Sequence, residues 1–141
     1  MAMKGECVGK TEKKTGESAA RFRGLGLKEL QMEAHRIAKE KGWYDPPKTP
    51  VESCALVHTE ISELIEDLRL GRDAFPPSGI ATVNSESGKP PKPIGPAVEA
   101  ADAVIRLADM CQHLGWDLEE AVALKMAYNE TRPHRHGGKA L

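Results

Sequence analysis

Glu60, Glu63 and Asp67 fall at i, i+3 and i+7 of the stretch HTEISELIEDLR (58–69), and Glu99 and Asp102 stand three apart in VEAADAVIRL (98–107). Both stretches read as helix, and in both the acids are interleaved with apolar residues. On the first, the acids centre roughly 90° from the stripe made by Val57, Ile61, Leu64 and Leu68, at the border where a helix begins to face a neighbour. Glu66 falls on the opposite side and reads as solvated. Carboxylates sharing one helix face repel, and repel more as water is removed. Two such pairs facing each other across helices need cations, and all-oxygen donors suit hard divalent ions. Four carboxylates in two pairs fit one or more Mg²⁺ ions with positions left open for phosphate oxygens. Either pair alone is an ordinary solvated helix face.

Four helices are expected to carry these residues. The first covers about 27–42, LKELQMEAHRIAKEKG, with Leu27, Leu30, Ala34, Ile37 and Ala38 at helical spacing and Gly42 as its stop. The prolines of WYDPPKTP then force an extended linker. The second opens on Thr49 as N-cap, Pro50 at the first helical position and Glu52 closing a capping box, and runs to about Leu70. The third runs from near Pro96 to His113 or Leu114, its buried side marked by Val98, Ala101, Ile105, Ala108 and Cys111, with Gly115 after it. The fourth has Asp117 as N-cap with Glu120 three residues on, and Pro133 limits it. There are no internal repeats, and the scattered β-branched residues give no strand signal.

The expectation is therefore an all-α, four-helix bundle-like domain over 25–141, preceded by a flexible segment, 1–24. A loop of about 72–96 separates the two acid-bearing helices. Its core, PPSGIATVNSESGKPPKPIGP, holds six of the ten prolines. A loop that long is usually functional or disordered. Roughly eighty residues carry helical pattern, a small core that association would help, so a homodimer or homotetramer is expected.

Composition narrows the class. Over 141 residues the formal net charge is −1, which gives no bulk field toward nucleic acid or an anionic membrane. No apolar run is long enough to span a bilayer, and the N-terminus has no secretory h-region. Three cysteines, Cys7, Cys54 and Cys111, show no metal-type spacing. The last two lie in apolar patterns and read as buried thiols. A cytoplasmic protein is the simplest expectation.

In order along the chain, HTEISELIEDLR, VEAADAVIRLADM and KMAYNETRPHRHGGK resemble the MazG-like, all-α nucleoside triphosphate pyrophosphohydrolase superfamily. The likeness extends over about 27–139. Its signature is E-x-x-E (Glu60, Glu63), E-x-x-D (Glu99, Asp102) and a K-x-x-x-N segment (Lys125, Asn129). The resemblance implies cleavage of an NTP or dNTP between the α- and β-phosphates. It implies Mg²⁺, or Mn²⁺ in its place, held by Glu60, Glu63, Glu99 and Asp102. One glutamate of the second helix, Glu60 or Glu63, would take the proton from the attacking water. Lys125 would bind phosphate, Asn129 would hydrogen-bond the nucleotide or neighbouring backbone, and Arg132 would extend that face. Arg135 and Lys139 of the tail would close over the triphosphate. His134 and His136 read as exposed, Asp67 as a surface acid, and Trp43 and Tyr44 as core or interface aromatics.

Two departures stand out. Thr59 occupies a place where the family often has a glutamate, and the long loop separates the motifs. Two other readings stand beside the enzyme. One is a pyrophosphatase of another nucleotide, such as a phosphoribosyl-nucleotide. The other is a non-catalytic helical interaction module.

Overall fold

The computed structural model describes residues 19–71, 74–85 and 89–133. Cys7, most of the N-terminal segment, and His134, Arg135, His136 and Lys139 lie outside the described residues. The chain is mostly helical: α1 (Leu27–Glu40), α2 (Pro50–Arg69), α3 (Pro96–His113) and α4 (Leu118–Glu130). Between α2 and α3 lies a small antiparallel pair, β1 (Ala81–Val83) with β2 (Lys92–Ile94), in which Thr82 faces Pro93. The expectation of no strand is corrected here. Three residues per strand are too few for a periodic signal, and Pro93 lies in an edge position where its missing N–H is tolerated.

Local chemistry sets the helix ends as the sequence predicts. Thr49 Oγ1 accepts from the Glu52 amide at 3.2 Å, and the Glu52 carboxylate accepts from the Thr49 amide at 2.7 Å. The bonds that the carboxylate accepts from the Thr49 amide and hydroxyl hold it below its ordinary value. Helices α1 and α3 end alike. The Gly42 and Trp43 amides donate to Lys39 and Ala38, and those of Gly115 and Trp116 to Gln112 and Cys111. Both glycines have positive φ, which closes each helix with paired carbonyl-satisfying bonds.

Helix α3 is the centre, with α1 and α2 both packed on it and α4 lying more lightly against α1. The arrangement is more open than a closed four-helix bundle. Its apolar core is thin: among the described residues Ala34, Ala103, Ala108, Met110 and Cys111 are buried, and no large side chain is fully enclosed. Small alanines let α3 approach its neighbours closely. The expected stripes hold only in part. Ile61 and Leu68 of α2 and Ala101 and Ile105 of α3 are exposed, because nothing in the described chain covers those faces. Cys54 is exposed rather than buried, although its thiol lies 3.7 Å from the Met110 sulfur of α3.

Two other segments are tied to the helices. Residues 21–24 form a turn tied to α1 by the Arg21–Glu33 ion pair. The proline-rich segment is anchored where Gly79 meets the start of α3. The Ala97 amide donates to Gly79 O at 3.1 Å. Gly95 has φ of 114°, and a Cβ there would lie 2.5 Å from that same carbonyl oxygen, so only glycine fits. No helix among the described residues is long and apolar enough to cross a membrane.

Candidate metal-binding site

Glu60 is the one buried residue of α2, 5% exposed, and it points at α3. There the first two turns present Glu99 and Asp102, three residues apart and so on one face. One carboxylate oxygen from each of Glu60, Glu99 and Asp102 lies within 4.8 Å of the others. Arg106, one turn beyond Asp102, donates from Nε to Glu60 Oε1 at 2.6 Å. Glu63 is exposed and outside this trio, but its charge acts on Glu99.

The electrostatics record a surplus of negative charge. Burial pushes the Glu99 carboxyl above its ordinary value, and Glu63, Asp102, Asp67 and Glu60 push it further. Burial also raises Asp102, with Glu60 adding to it, while Arg106 and Lys92 pull it down. Asp67, expected to be a plain surface acid, therefore acts on the cluster. It also lines a groove of about 510 Å³ with Phe75, Pro76, Pro77 and Pro96. Glu66 is exposed and pairs loosely with Arg69 at 3.7 Å, as its place on the opposite face predicts.

The donor set suits a hard divalent cation. Opposed oxygens around Mg²⁺ stand about 4.2 Å apart and around Ca²⁺ about 5 Å apart. Of three donors only one pair can be opposed, and neighbouring oxygens around Mg²⁺ stand about 3 Å apart, so the trio would close in on the ion as it bound. All three donors are carboxylates, and two of them are reluctant to ionise together, a condition that a doubly charged ion relieves.

The cations nearest the acids are ones the sequence reading passed over. Arg106 sits inside VEAADAVIRL, and its i+4 spacing from Asp102 was the available signal. Lys92 reaches the site only because the β1–β2 pair folds back on α3, and no local pattern announces that. Lys125 lies on the exposed α4 with Nζ 4.9 Å from the Tyr128 ring centre. Asn129 and Arg132 are exposed on and just beyond the same helix. Among the described residues no hydrogen bond, ion pair or resolved electrostatic effect joins these three to the acids.

On the other side of Arg106 is a small cleft of about 30 Å³, with Trp43, Tyr44, Lys48 and Asp109 in its walls. Arg106 and Lys48 lie 5.2 and 5.3 Å from the Trp43 ring centre. Asp109 accepts from the Tyr44 hydroxyl at 2.8 Å and lies at the same distance from His35 Nδ1. Burial first, and then Asp109, raise the Tyr44 hydroxyl, so it stays a donor. Compared with known protein families, characterised proteins and solved structures, the chain matches none.

Proposed function

We propose that this chain is a divalent-cation-dependent nucleoside triphosphate pyrophosphohydrolase of the MazG-like type. It acts in the cytoplasm on an NTP or dNTP, and water and the triphosphate give the nucleoside monophosphate and pyrophosphate. The observation that carries the reading is the convergence of Glu60, Glu99 and Asp102 from the two helices bearing E-x-x-E and E-x-x-D.

Glu60, Glu99 and Asp102 would hold Mg²⁺, or Mn²⁺ in its place, with Glu63 at the rim. The cation would offset phosphate charge and acidify a bound water. Glu60 is committed to Arg106. Glu63 makes no hydrogen bond or ion pair among the described residues, so it is the better placed of the two to accept the proton of the attacking water. Lys92 and Arg106 bring positive charge to the cluster, where a triphosphate would need it.

Lys125, Asn129 and Arg132 bind substrate in the assembled protein, a homodimer or homotetramer. Exposed Ile61, Ile65 and Leu68 on α2 and Leu124, Met126 and Tyr128 on α4 support that association.

The test is incubation of the purified protein with each common NTP and dNTP, in Mg²⁺ and in EDTA, with identification of products. Monophosphate plus pyrophosphate, formed only with the metal, is the expected result. No turnover of any nucleotide by folded protein would overturn the reading.

A further inference from the structure

Arg106 stands where the acid cluster and the Trp43 cleft meet. Its Nε edge is committed to the buried Glu60 carboxylate. Its guanidinium lies over Trp43 and forms part of the cleft wall beside Lys48. Its two terminal nitrogens make no hydrogen bond among the described residues, and neither is left both buried and unsatisfied. The side chain is thus held at one edge and open at the other.

Glu60 needs a cationic partner, because a carboxylate this deeply buried is strongly disfavoured when unpaired. One guanidinium supplies a single positive charge beside three carboxylates. A divalent ion among the same oxygens would supply two, but it would lie within about 5 Å of the guanidinium. At that separation in a partly buried site, repulsion between the two cations outweighs a tenfold change in affinity. They are poor co-occupants of one carboxylate.

We propose that Arg106 and the divalent cation are alternative partners of Glu60, so that cation entry displaces the guanidinium, which turns across the Trp43 face into the cleft. This rests on the reading of the acids as a cation site. The Trp43 ring gives the moving charge a favourable surface along its path. Arg106 is a positioning residue here: it couples filling of the acid site to readiness of the cleft.

The test is calorimetric titration of the wild type, Arg106→Gln and Arg106→Lys with Mn²⁺, alongside the fluorescence of Trp43 during Mg²⁺ titration in a Trp116→Phe background. Trp116 is more than half exposed, so the replacement leaves Trp43 as the reporter without opening the core. Arg106→Gln is expected to bind Mn²⁺ at least about tenfold more tightly than wild type, since a competing charge is gone. Arg106→Lys keeps the charge and is expected within about threefold of wild type. Trp43 emission is expected to change as Mg²⁺ saturates the site.

Equal or weaker Mn²⁺ binding by Arg106→Gln, with wild type binding normally, overturns the displacement and leaves the cation site standing. Absence of Mn²⁺ binding in every protein overturns both. If Arg106→Gln does not fold, Trp43 emission decides: no change across the range where calorimetry records binding overturns the proposal.

Discussion

Gln31 and Glu60 are the buried polar side chains among the described residues, one on each helix that flanks α3. Gln31, 2% exposed, is satisfied at both ends: its amide donates to Trp116 O at 2.8 Å and its oxygen accepts from the Leu118 amide at 3.2 Å. It latches α1 to the connection between α3 and α4 and carries no charge. Glu60 has one strong partner, Arg106, while Glu99 and Asp102 crowd the same space. A neutral side chain with a partner at each polar atom defines a shape. A cluster with more negative than positive charge is held together by the fold at a continuing electrostatic penalty, the condition in which a ligand contributes most.

The largest expected effect falls on the acid side. Glu60→Gln and Asp102→Asn should each lower the proposed pyrophosphohydrolase turnover by about a hundredfold or more, about 3 kcal/mol of barrier, with helical circular dichroism retained. Near-normal turnover in both would erase the functional half of the contrast. On the other side, Gln31→Ala strips the partners from a buried carbonyl and amide. It should lower the unfolding free energy by about 2 kcal/mol in denaturant titration while leaving cation affinity unchanged. A shift in cation affinity instead would mean the two regions are coupled.

A smaller effect has the opposite sign. The carboxyls of Glu99 and Asp102 sit above their ordinary values of 4.5 and 3.8 in the fold. The folded state therefore holds protons that the unfolded chain releases. Their penalty on stability is fully present above the raised values and vanishes below the ordinary ones. Glu99→Gln should raise the melting temperature by about 3 °C at neutral pH without divalent ions. That advantage should shrink as pH falls toward the ordinary value of 4.5. An advantage independent of pH would show that repulsion is not its source. The smallest effect is that of Glu66→Gln on the outer face of α2, where turnover and melting temperature should stay within error.

Much of the scaffold is legible in the sequence because its causes are local. The Thr49–Glu52 box, the stops at Gly42 and Gly115, and the acid spacings all depend on residues within one or two turns. The three-residue strands escaped because they have no period to detect, and their pairing is fixed by Gly79 meeting Gly95. The exposure of Ile61 and Leu68 escaped for another reason. An apolar stripe says that a helix face seeks cover, but not which neighbour supplies it.

By itself the sequence determined where helices begin and end and that Glu60, Glu63, Glu99 and Asp102 stand on apolar-flanked faces, since helical geometry converts spacing into direction. Tertiary structure decided which of those carboxylates meet. It buried Glu60 and left Glu63 outside the trio, because the azimuth at which α2 packs on α3 depends on contacts distant in sequence. It also decided that Arg106 and Lys92, rather than the basic face of α4, lie at the acids within the described chain. Charge neutralisation acts through space, and the chain positions that share that space are distant in sequence.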